Sequence, residues 1–431
     1  MTPSISGSVQ RNKPGTVLFA SLIGTTVEFF DFYIYATAAV LIFPKAFFPS
    51  SDPTSATLQS LITFALAFFA RPVGSAVFGH FGDRVGRKAT LVGALLTMGV
   101  STVAIGLLPT YETIGTWAPV LLAVCRFGQG FGLGGEWGGA VLLATENAPP
   151  GKRAWYGMFP QLGAPIGFFM SGGIFLWLGE TLTEAQFFHF GWRIPFLASA
   201  LLVFVGLYVR FKIQETPAFQ NVLDHHQRVK VPVVTVFRDH TKALVLGTLA
   251  ALATFVLFYL MTVFALSWGT SALHYSRRDF LEIQLFAVLF FALGIPLSAW
   301  LADRHGRRGM LMAASAAIVV FGFSMAPLFG AGNAMGVTLF LSLGLGLMGM
   351  TYGPLGTLLS EMFPTAVRYT GSSLTFNFAG ILGASMAPYL ATTLATQHGL
   401  AYVGYYLSIA AAISLTALWL SKPGNDRDFA A

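Results

Sequence analysis

Apolar windows of roughly 20 residues recur along the whole chain, separated by short charged or Pro/Gly-rich joints. A helix of about that length spans the hydrocarbon core of a bilayer. Only 10% of the 431 residues are charged, whereas a soluble globular protein has about 25%. The twelve windows cover residues 16–42, 58–79, 90–109, 118–143, 156–178, 192–211, 242–268, 281–301, 310–329, 335–358, 370–393 and 401–421. The sequence therefore predicts an all-α membrane protein with twelve transmembrane helices.

Basic residues are distributed unequally between the joints. If the N-terminus is inside the cell, 19 of the 25 Lys and Arg lie on that side: they lie in the tails, in the joints after even-numbered windows, and at the edges of two windows next to such a joint, Arg210 and Lys242. Since cytoplasmic loops carry the excess of Lys and Arg, both termini are predicted to be cytoplasmic. The basic residues are scattered over many joints instead of forming one face, so the net charge of +7 points to a lipid bilayer and not to a nucleic acid.

The longest polar interval divides the chain near its middle. We predict an N-terminal six-helix bundle over 1–211, a cytoplasmic connector over 212–241 and a C-terminal six-helix bundle over 242–431. Two polar motifs recur in the two halves. "GHFGDRVGRK" at 79–88 is repeated as "AWLADRHGRR" at 299–308, and "ENAPPGKR" at 146–153 as "EMFPTAVR" at 361–368. This repetition indicates duplicated halves, an architecture known in transporters that bind substrate between them.

The same motifs resemble those of a known family. "GHFGDRVGRK" resembles the loop motif of the major facilitator superfamily, and "RFGQGFGLGGEWGG" at 126–139 resembles its fourth-helix motif. Together with "EFFDFYIYA", "FARPVG", "GEWGGA", "GWRIPF" and "QETPAF", they resemble the metabolite:H+ symporters, which carry shikimate, 2-oxoglutarate, citrate, and proline or betaine. The resemblance covers essentially the whole chain and implies the major facilitator fold.

The resemblance also implies a cytoplasmic gate. In the family, the aspartate at Asp83 pairs with the other half and holds the outward-open state until the pair breaks. The alternative is that the basic residues only set topology. The predicted gating residues are Asp83, Arg84, Arg87, Lys88, Glu146, Arg153, Asp303, Arg304, Glu361 and Arg368.

Charged side chains inside the predicted helices are the strongest functional signal. Each costs about 2.5–3.5 kcal/mol at the bilayer centre on insertion scales, so such residues usually face a partner or a water-filled cavity. They are Glu28, Asp31, Arg71, Arg126 and Glu136, all in the first half. Coupling chemistry is therefore predicted in the N-terminal bundle.

Asp31 and Arg126 are predicted at similar depth, so a salt bridge between them is plausible. The resemblance implies that the aspartate is protonated during transport and that the arginine pairs with it and orients an anionic substrate. The alternative is a permanent structural pair. Glu28 is expected to share the coupling, to pair with Arg71, or to extend toward the cytoplasm. Arg71 and Glu136 are expected to form a second ion pair or an inner proton relay, or to be purely structural.

Neutral polar groups are candidates for substrate contact. A buried amide without a partner is unfavourable in lipid, so Gln161 and Asn377 are the preferred candidates. For the tyrosines, packing is the competing explanation. With Arg126, the predicted substrate residues are Tyr33, Gln129, Gln161, Tyr259, Tyr352 and Asn377.

These features predict a monomeric, proton-coupled symporter of the bacterial inner membrane that imports a small organic acid or related polar metabolite by alternating access. The alternative is a proton-coupled antiporter that exports drugs or sugars. An enzyme is not expected, because the sequence has no nucleophile and base motif. Its Cys and His spacing does not resemble a metal site, and no cofactor is expected.

Overall fold

Twelve long helices make up the described part of the chain. The computed structural model describes residues 14–50, 52–211, 231–330 and 333–421, without the side chains of residues 83, 84 and 87. The long helices are α1 Pro14–Leu41, α2 Pro53–Arg84, α3 Arg87–Leu107, α4 Trp117–Glu146, α5 Arg153–Thr181, α6 Arg193–Phe211, α7 Thr241–Ser271, α8 Arg277–His305, α9 Arg307–Phe329, α10 Ala334–Glu361, α11 Thr365–His398 and α12 Leu400–Leu420. The predicted twelve-helix membrane fold is confirmed.

Eleven of these helices are long and apolar enough to cross a bilayer on their own. The exception is α4, which has 30 residues but contains Arg126, Glu136 and a run of glycines. Its buried residues include both charges, and they concentrate in its second half. Thus α4 depends on its neighbours in the bundle to cover groups that lipid would not solvate.

The helices extend beyond the predicted apolar windows where polar residues reach the membrane surface. α2 begins at Pro53, and the carboxylate of Asp52 accepts hydrogen bonds from the backbone N–H groups of Thr54 and Ser55 at 3.2 and 3.0 Å. This is an N-cap. At the other end α2 continues to Arg84, so the motif predicted as a joint belongs mostly to the helix.

Helices α1 to α6 and α7 to α12 form two bundles with equivalent internal packing. α2 packs on α4 as α8 packs on α10, α3 on α6 as α9 on α12, and α1 on α5 as α7 on α11. The bundles meet where α2 packs on α11 and α5 packs on α8, which are also equivalent pairs. This packing has the internal two-fold relation that the repeated motifs predict.

Glycines allow α2 and α4 to cross closely. A Cβ atom at Gly130 would overlap the backbone of Ala67, and one at Gly134 would overlap the backbone carbonyl of Arg71. The glycine run of α4 therefore serves helix packing, as small residues commonly do in membrane bundles.

Part of the predicted connector is a short amphipathic helix, Pro232–Asp239. Its Val236 packs in a small apolar cluster with Phe363 and Val367, on the turn between α10 and α11. Residues 212–230 lie outside the described residues, so the connector boundaries at 212 and 241 stay a prediction.

Candidate functional site

A small cavity lies between the two bundles. Its volume is about 20 Å³, which is room for about one water molecule. Among the described residues that line it, Arg71 is the only charged one, and most of the others are aromatic. The lining residues are Phe29, Tyr33, Arg71, Ala164, Thr254, Phe255, Phe258, Tyr259, Met348, Tyr352 and Phe376.

Three tyrosines predicted to contact substrate meet in this cavity. Tyr33 stacks on Phe29 with ring centroids 5.6 Å apart, and it also meets Phe258 of the second bundle at 5.5 Å. Tyr259 and Tyr352 come from α7 and α10. The buried hydroxyl of Tyr352 has no hydrogen-bond partner among the described residues. The three side chains thus share one site, although their contact with substrate stays a prediction.

Gln161 and Asn377 join the bundles and do not line the cavity. Nε2 of Gln161 donates to the carbonyl of Tyr352 at 3.0 Å, and Oε1 accepts from the indole N–H of Trp137 at 3.0 Å. Nδ2 of Asn377 donates to the hydroxyl of Ser75 in α2 at 2.5 Å. In this conformation the amide NH2 group of each residue binds the opposite bundle, whereas Oδ1 of Asn377 has no hydrogen-bond partner among the described residues. Their contact with substrate stays a prediction.

Glu28 and Arg71 form a buried ion pair beside the cavity. Nη2 of Arg71 lies 3.4 Å from Oε1 of Glu28. The second oxygen of Glu28 and Nε of Arg71 have no hydrogen-bond partner among the described residues. Pairing with Arg71 was one of the three possibilities left open for Glu28. The pair is incomplete, since one long contact is formed where two parallel bonds are possible.

Arg126 lies among aromatic rings and not beside Asp31. The centre of its guanidinium is 3.9, 4.6 and 5.0 Å from the ring centroids of Tyr35, Phe32 and Phe64. Arg126 and Asp31 form no ion pair, since neither oxygen of Asp31 has a hydrogen-bond partner among the described residues. The expected salt bridge is therefore wrong for this conformation, because similar depth on two helices does not fix the direction in which their side chains point.

Gln129 connects the two residues instead. Its Oε1 accepts a hydrogen bond from Nη1 of Arg126, and its Nε2 donates to the backbone carbonyl of Asp31 at 3.0 Å and to the hydroxyl of Thr102 at 2.9 Å. Nε and Nη2 of Arg126 also approach the carbonyl of Phe64 at 3.4 Å. Gln129 is thus a structural link in this conformation and lies outside the cavity lining.

The carboxylate of Asp31 is fully buried, and in the described part of the chain its oxygens lack the hydrogen-bond donors that usually accompany a buried carboxylate. Neither oxygen has a hydrogen-bond partner among the described residues. The hydroxyls of Ser199 and Thr102 lie close to it without reaching hydrogen-bond geometry. A charged carboxylate is strongly disfavoured in such a place, whereas a neutral acid is tolerated far better.

Glu136 pairs with an arginine that the sequence interpretation missed. Oε1 of Glu136 accepts a hydrogen bond from Nη2 of Arg210 at the end of α6, and Nη1 of Arg210 donates to the carbonyl of Leu91 at 2.5 Å. Gly24 of α1 makes room, since a Cβ there would lie 2.7 Å from Nη2 of Arg210. Glu136 therefore does not pair with Arg71, which was one of the three possibilities left open for these two residues.

At the ends of the helices where the repeated motifs lie, Asp303 of α8 caps helix α5 of the other bundle. Its two carboxylate oxygens accept from the backbone N–H groups of Ala154 and Trp155 at 3.0 and 2.9 Å. An acid at a helix N-terminus is favoured by the free N–H groups and by the helix dipole. The contact between the halves was predicted for Asp83, whose side chain is outside the described residues; its counterpart Asp303 forms such a contact, and its role in gating stays a prediction.

A charge network continues from Asp303. Arg307, which was not predicted, lies 3.7 Å from Asp303 and 2.7 Å from Glu361. Nε of Arg368 donates to the carbonyl of Phe363 at 3.1 Å. The remaining predicted gating residues surround this region: Lys88 donates to the carbonyl of Phe211, Arg304 stacks on Trp300, Glu146 ends α4 and Arg153 begins α5. The side chains of Asp83, Arg84 and Arg87 lie outside the described residues.

At the ends of the helices opposite to the repeated motifs, a further ion pair joins the bundles. Arg278 at the start of α8 lies 3.0 Å from Glu180 near the end of α5. The guanidinium of the neighbouring Arg277 stacks on Phe187 of the first half at 4.1 Å. Contacts between the bundles thus occur on both sides of the central cavity.

Comparison with known proteins identifies the family. The family model described as Major Facilitator Superfamily matches residues 21–388, which include nine complete long helices, α2 to α10, and both copies of the repeated motifs. The chain belongs to the major facilitator superfamily.

Relatives place it within the metabolite:H+ symporter group of this superfamily. The inner membrane metabolite transport protein YhjE of Escherichia coli (strain K12) is 58% identical over 415 residues, covering 95% of this chain and 94% of that protein. The shikimate transporter of the same strain is 35% identical and covers 94% and 92%. Its proline/betaine transporter is 33% identical and covers 94% and 83%. This major facilitator chain is therefore a multi-pass membrane protein that transports metabolites and is not an enzyme.

A solved structure confirms the fold. The proton:xylose symporter XylE bound to 6-bromo-6-deoxy-D-glucose superposes with a TM-score of 0.77, covering 97% of this chain and 98% of that one. Sequence identity is only 14%. At that identity the likeness concerns the major facilitator fold and not the substrate.

Proposed function

We propose that this transporter imports a small organic acid together with protons by alternating access. It would work in the bacterial inner membrane with both termini in the cytoplasm. The names of the relatives support this: one is an inner membrane transport protein, and others carry shikimate, proline or betaine, all of which are small molecules with a carboxylate. The charge asymmetry of the joints supports the orientation.

The unpaired carboxylate of Asp31 is the observation that carries the proton assignment. Glu28 and Glu136 each have an arginine partner, whereas Asp31 has neither an ion pair nor a hydrogen bond among the described residues. Enclosing a charged, unpaired carboxylate costs several kcal/mol, on the order of the penalty for one buried ion. Asp31 therefore carries the proton in this closed conformation.

Coupling follows from that penalty. If the bundles close around the substrate only when Asp31 is neutral, each loaded crossing brings a proton with the substrate. The return without substrate then takes place with Asp31 charged and paired, so that the proton is not carried back. Reopening then admits water or moves Arg126 toward the acid, and either change favours the charged form and releases the proton. Gln129, which touches both Arg126 and the backbone of Asp31, is the structural connection through which such a movement passes.

Contacts between the bundles on both sides support alternating access. Asp303 holds α5 on the cytoplasmic side, and Arg278 holds Glu180 at the opposite ends of the helices. Each connects the same two helices, α5 and α8. A rocking movement of one bundle against the other would break one contact while the other persists.

The proposal is tested by transport into liposomes that contain only the purified protein. With the outside acidified, we expect accumulation of at least one organic acid, and collapse of the pH gradient by a protonophore should abolish it. Absence of gradient-driven accumulation across a broad panel of organic acids would contradict the proposal. Proton-driven export of a drug or sugar, measured in everted membrane vesicles, would favour the antiporter alternative.

A further inference from the structure

We propose that Arg71, and not Arg126, holds the carboxylate of the substrate, and that the substrate is a small monocarboxylate. This inference rests on the proposed function as an organic-acid carrier, and it identifies the binding residue and the class of acid. It depends on the arrangement of charges around the central cavity.

Arg71 is the cation that lines the cavity, and some of its hydrogen-bond donors are unused within the described part of the chain. Its side chain is 3% exposed, yet among the described residues it donates one hydrogen bond, to Glu28 at 3.4 Å, and its Nε has no partner. A guanidinium has five N–H donors in a planar fork that matches a carboxylate. A buried fork with free donors beside a cavity is suited to a ligand with two acceptor oxygens.

The present partner, Glu28, forms a poor version of that contact. One oxygen of Glu28 reaches Arg71 at the limit of a hydrogen bond, and its second oxygen has no partner. Paired carboxylates and arginines usually form two parallel bonds of about 2.7–2.9 Å. Glu28 thus uses the donor of Arg71 that a substrate carboxylate in the cavity would take, and the substrate replaces Glu28 in this contact.

Arg126 is unsuited to this role in the described conformation. It does not line the cavity. Its donors are directed to Gln129 and to the carbonyl of Phe64, and its face is covered by the rings of Tyr35 and Phe32. Moving it to the cavity would leave the buried Oε1 of Gln129 without its donor, which is costly.

The lining also determines the number of charges on the substrate. With one cation, the cavity can neutralise one carboxylate, and a second would be buried without a partner. The other walls offer aromatic rings, together with the hydroxyls of Tyr33, Tyr259, Tyr352 and Thr254. Such walls fit a compact apolar or hydroxylated body. The cavity must widen on opening, because about 20 Å³ holds no organic acid.

Ligand binding to the purified full-length protein in detergent tests the inference without requiring transport. The probes are cyclohexanecarboxylate, benzoate and shikimate as monocarboxylates, succinate and citrate as acids with more charges, and cyclohexanecarboxamide as an uncharged analogue. We expect at least one monocarboxylate to raise the melting temperature and to bind with a measurable Kd, whereas the amide does not. Arg71→Lys should weaken this binding by about tenfold or more, because the fork is lost while the charge remains.

Two further variants separate binding from folding. Glu28→Gln should bind the monocarboxylate more tightly than wild type, since the internal competitor is removed. Arg210→Lys is the matched control: it disturbs a buried arginine and glutamate pair that does not line the cavity, so it should lower stability while leaving the Kd unchanged.

Unchanged affinity in Arg71→Lys, weaker affinity in Glu28→Gln, preference for succinate or citrate, or binding by no monocarboxylate would each overturn the inference. Its failure differs from that of the proposed function. Proton-driven uptake of citrate or succinate alone would keep the symport and reject the monocarboxylate. Arg71-dependent binding of a monocarboxylate without gradient-driven uptake would keep the binding site and reject the symport.

Discussion

The two bundles share one packing pattern but bury different polar groups. The first bundle encloses Glu28, Asp31, Arg71, Arg126 and Glu136 in the middle of its helices. Among the described residues of the second bundle, the fully buried charge is Arg368, which lies near the start of α11. The second bundle supplies the cavity with hydroxyls and rings. This contrast supports the proposal that the first bundle carries the groups that change charge and the second provides a neutral wall.

The same contrast appears within one helix. Glu28 and Asp31 are three residues apart on α1 and both are fully buried. Glu28 pairs with Arg71 beside the cavity, whereas the carboxylate of Asp31 lies near hydroxyl groups and has no charged partner among the described residues. We therefore assign them different work: Glu28 reserves the substrate position, and Asp31 carries the proton.

The largest effect on stability is expected at the buried pair behind the cavity. Arg210→Leu leaves Glu136 buried without a partner, so the free energy of unfolding should fall by about 3–5 kcal/mol. Unfolding in a mixed detergent measures this. Arg238→Gln is the control, because its pair with Asp239 is exposed and should leave stability unchanged. Equal stability of the two variants would show that the Glu136 pair does not hold α4 to α6.

The two acids of α1 should differ when each is neutralised. Glu28→Gln leaves Arg71 without its carboxylate and should cost about 1–3 kcal/mol of unfolding free energy. Asp31→Asn removes no ion pair and should leave stability unchanged or raise it at neutral pH. Thermal unfolding of the two variants in the same detergent compares them directly. A larger loss in Asp31→Asn would mean that Asp31 has a partner in solution.

The bridge from Gln161 to Tyr352 should favour the closed arrangement of the bundles. Gln161→Leu loses two hydrogen bonds, each worth about 1 kcal/mol. A cysteine introduced as Thr254→Cys should therefore react faster with a maleimide. Gln284→Leu is the control, because Gln284 donates only to carbonyls of its own bundle, at 2.8 and 3.2 Å. If both variants accelerate maleimide labelling equally, the bridge from Gln161 does not hold the bundles closed.

The smallest effect on stability is expected at the cap that Asp303 forms on α5. Asp303→Ala should weaken the start of α5 by about 1 kcal/mol, the usual value of an N-cap. It should also increase labelling of the cavity from the cytoplasmic side, because this cap joins two bundles. Asp52→Ala removes a cap that lies within the first bundle and should not change labelling. If both variants behave alike, Asp303 is only a cap and not part of a gate.

Much of this fold could be predicted from apolar windows and repeated motifs. Lipid allows few alternatives to apolar helices, so window length alone predicts the spans. The predicted window 118–143 corresponds to α4, the one of the twelve described long helices that is not apolar enough to cross a bilayer on its own, and it contains Arg126, Glu136 and a run of glycines.

The partners of the buried charges were harder to predict. Arg210 was counted among the residues that set topology, because it lies one residue from the end of α6. Its long side chain nonetheless turns back to Glu136, which the sequence does not reveal. The tyrosines of the cavity could be proposed from their polarity, but Phe258 and Phe376 could not, since a phenyl ring facing a cavity has the same sequence signature as one facing lipid.

The central claim is that Asp31 carries the transported proton, and one comparison tests it most directly. In liposomes, wild type, Asp31→Asn and the exposed control Asp279→Asn are assayed for accumulation under an inward proton gradient and for exchange of labelled for unlabelled substrate. We predict that Asp31→Asn keeps exchange and loses accumulation, while Asp279→Asn keeps both. Gradient-driven accumulation by Asp31→Asn at the wild-type level would contradict the account.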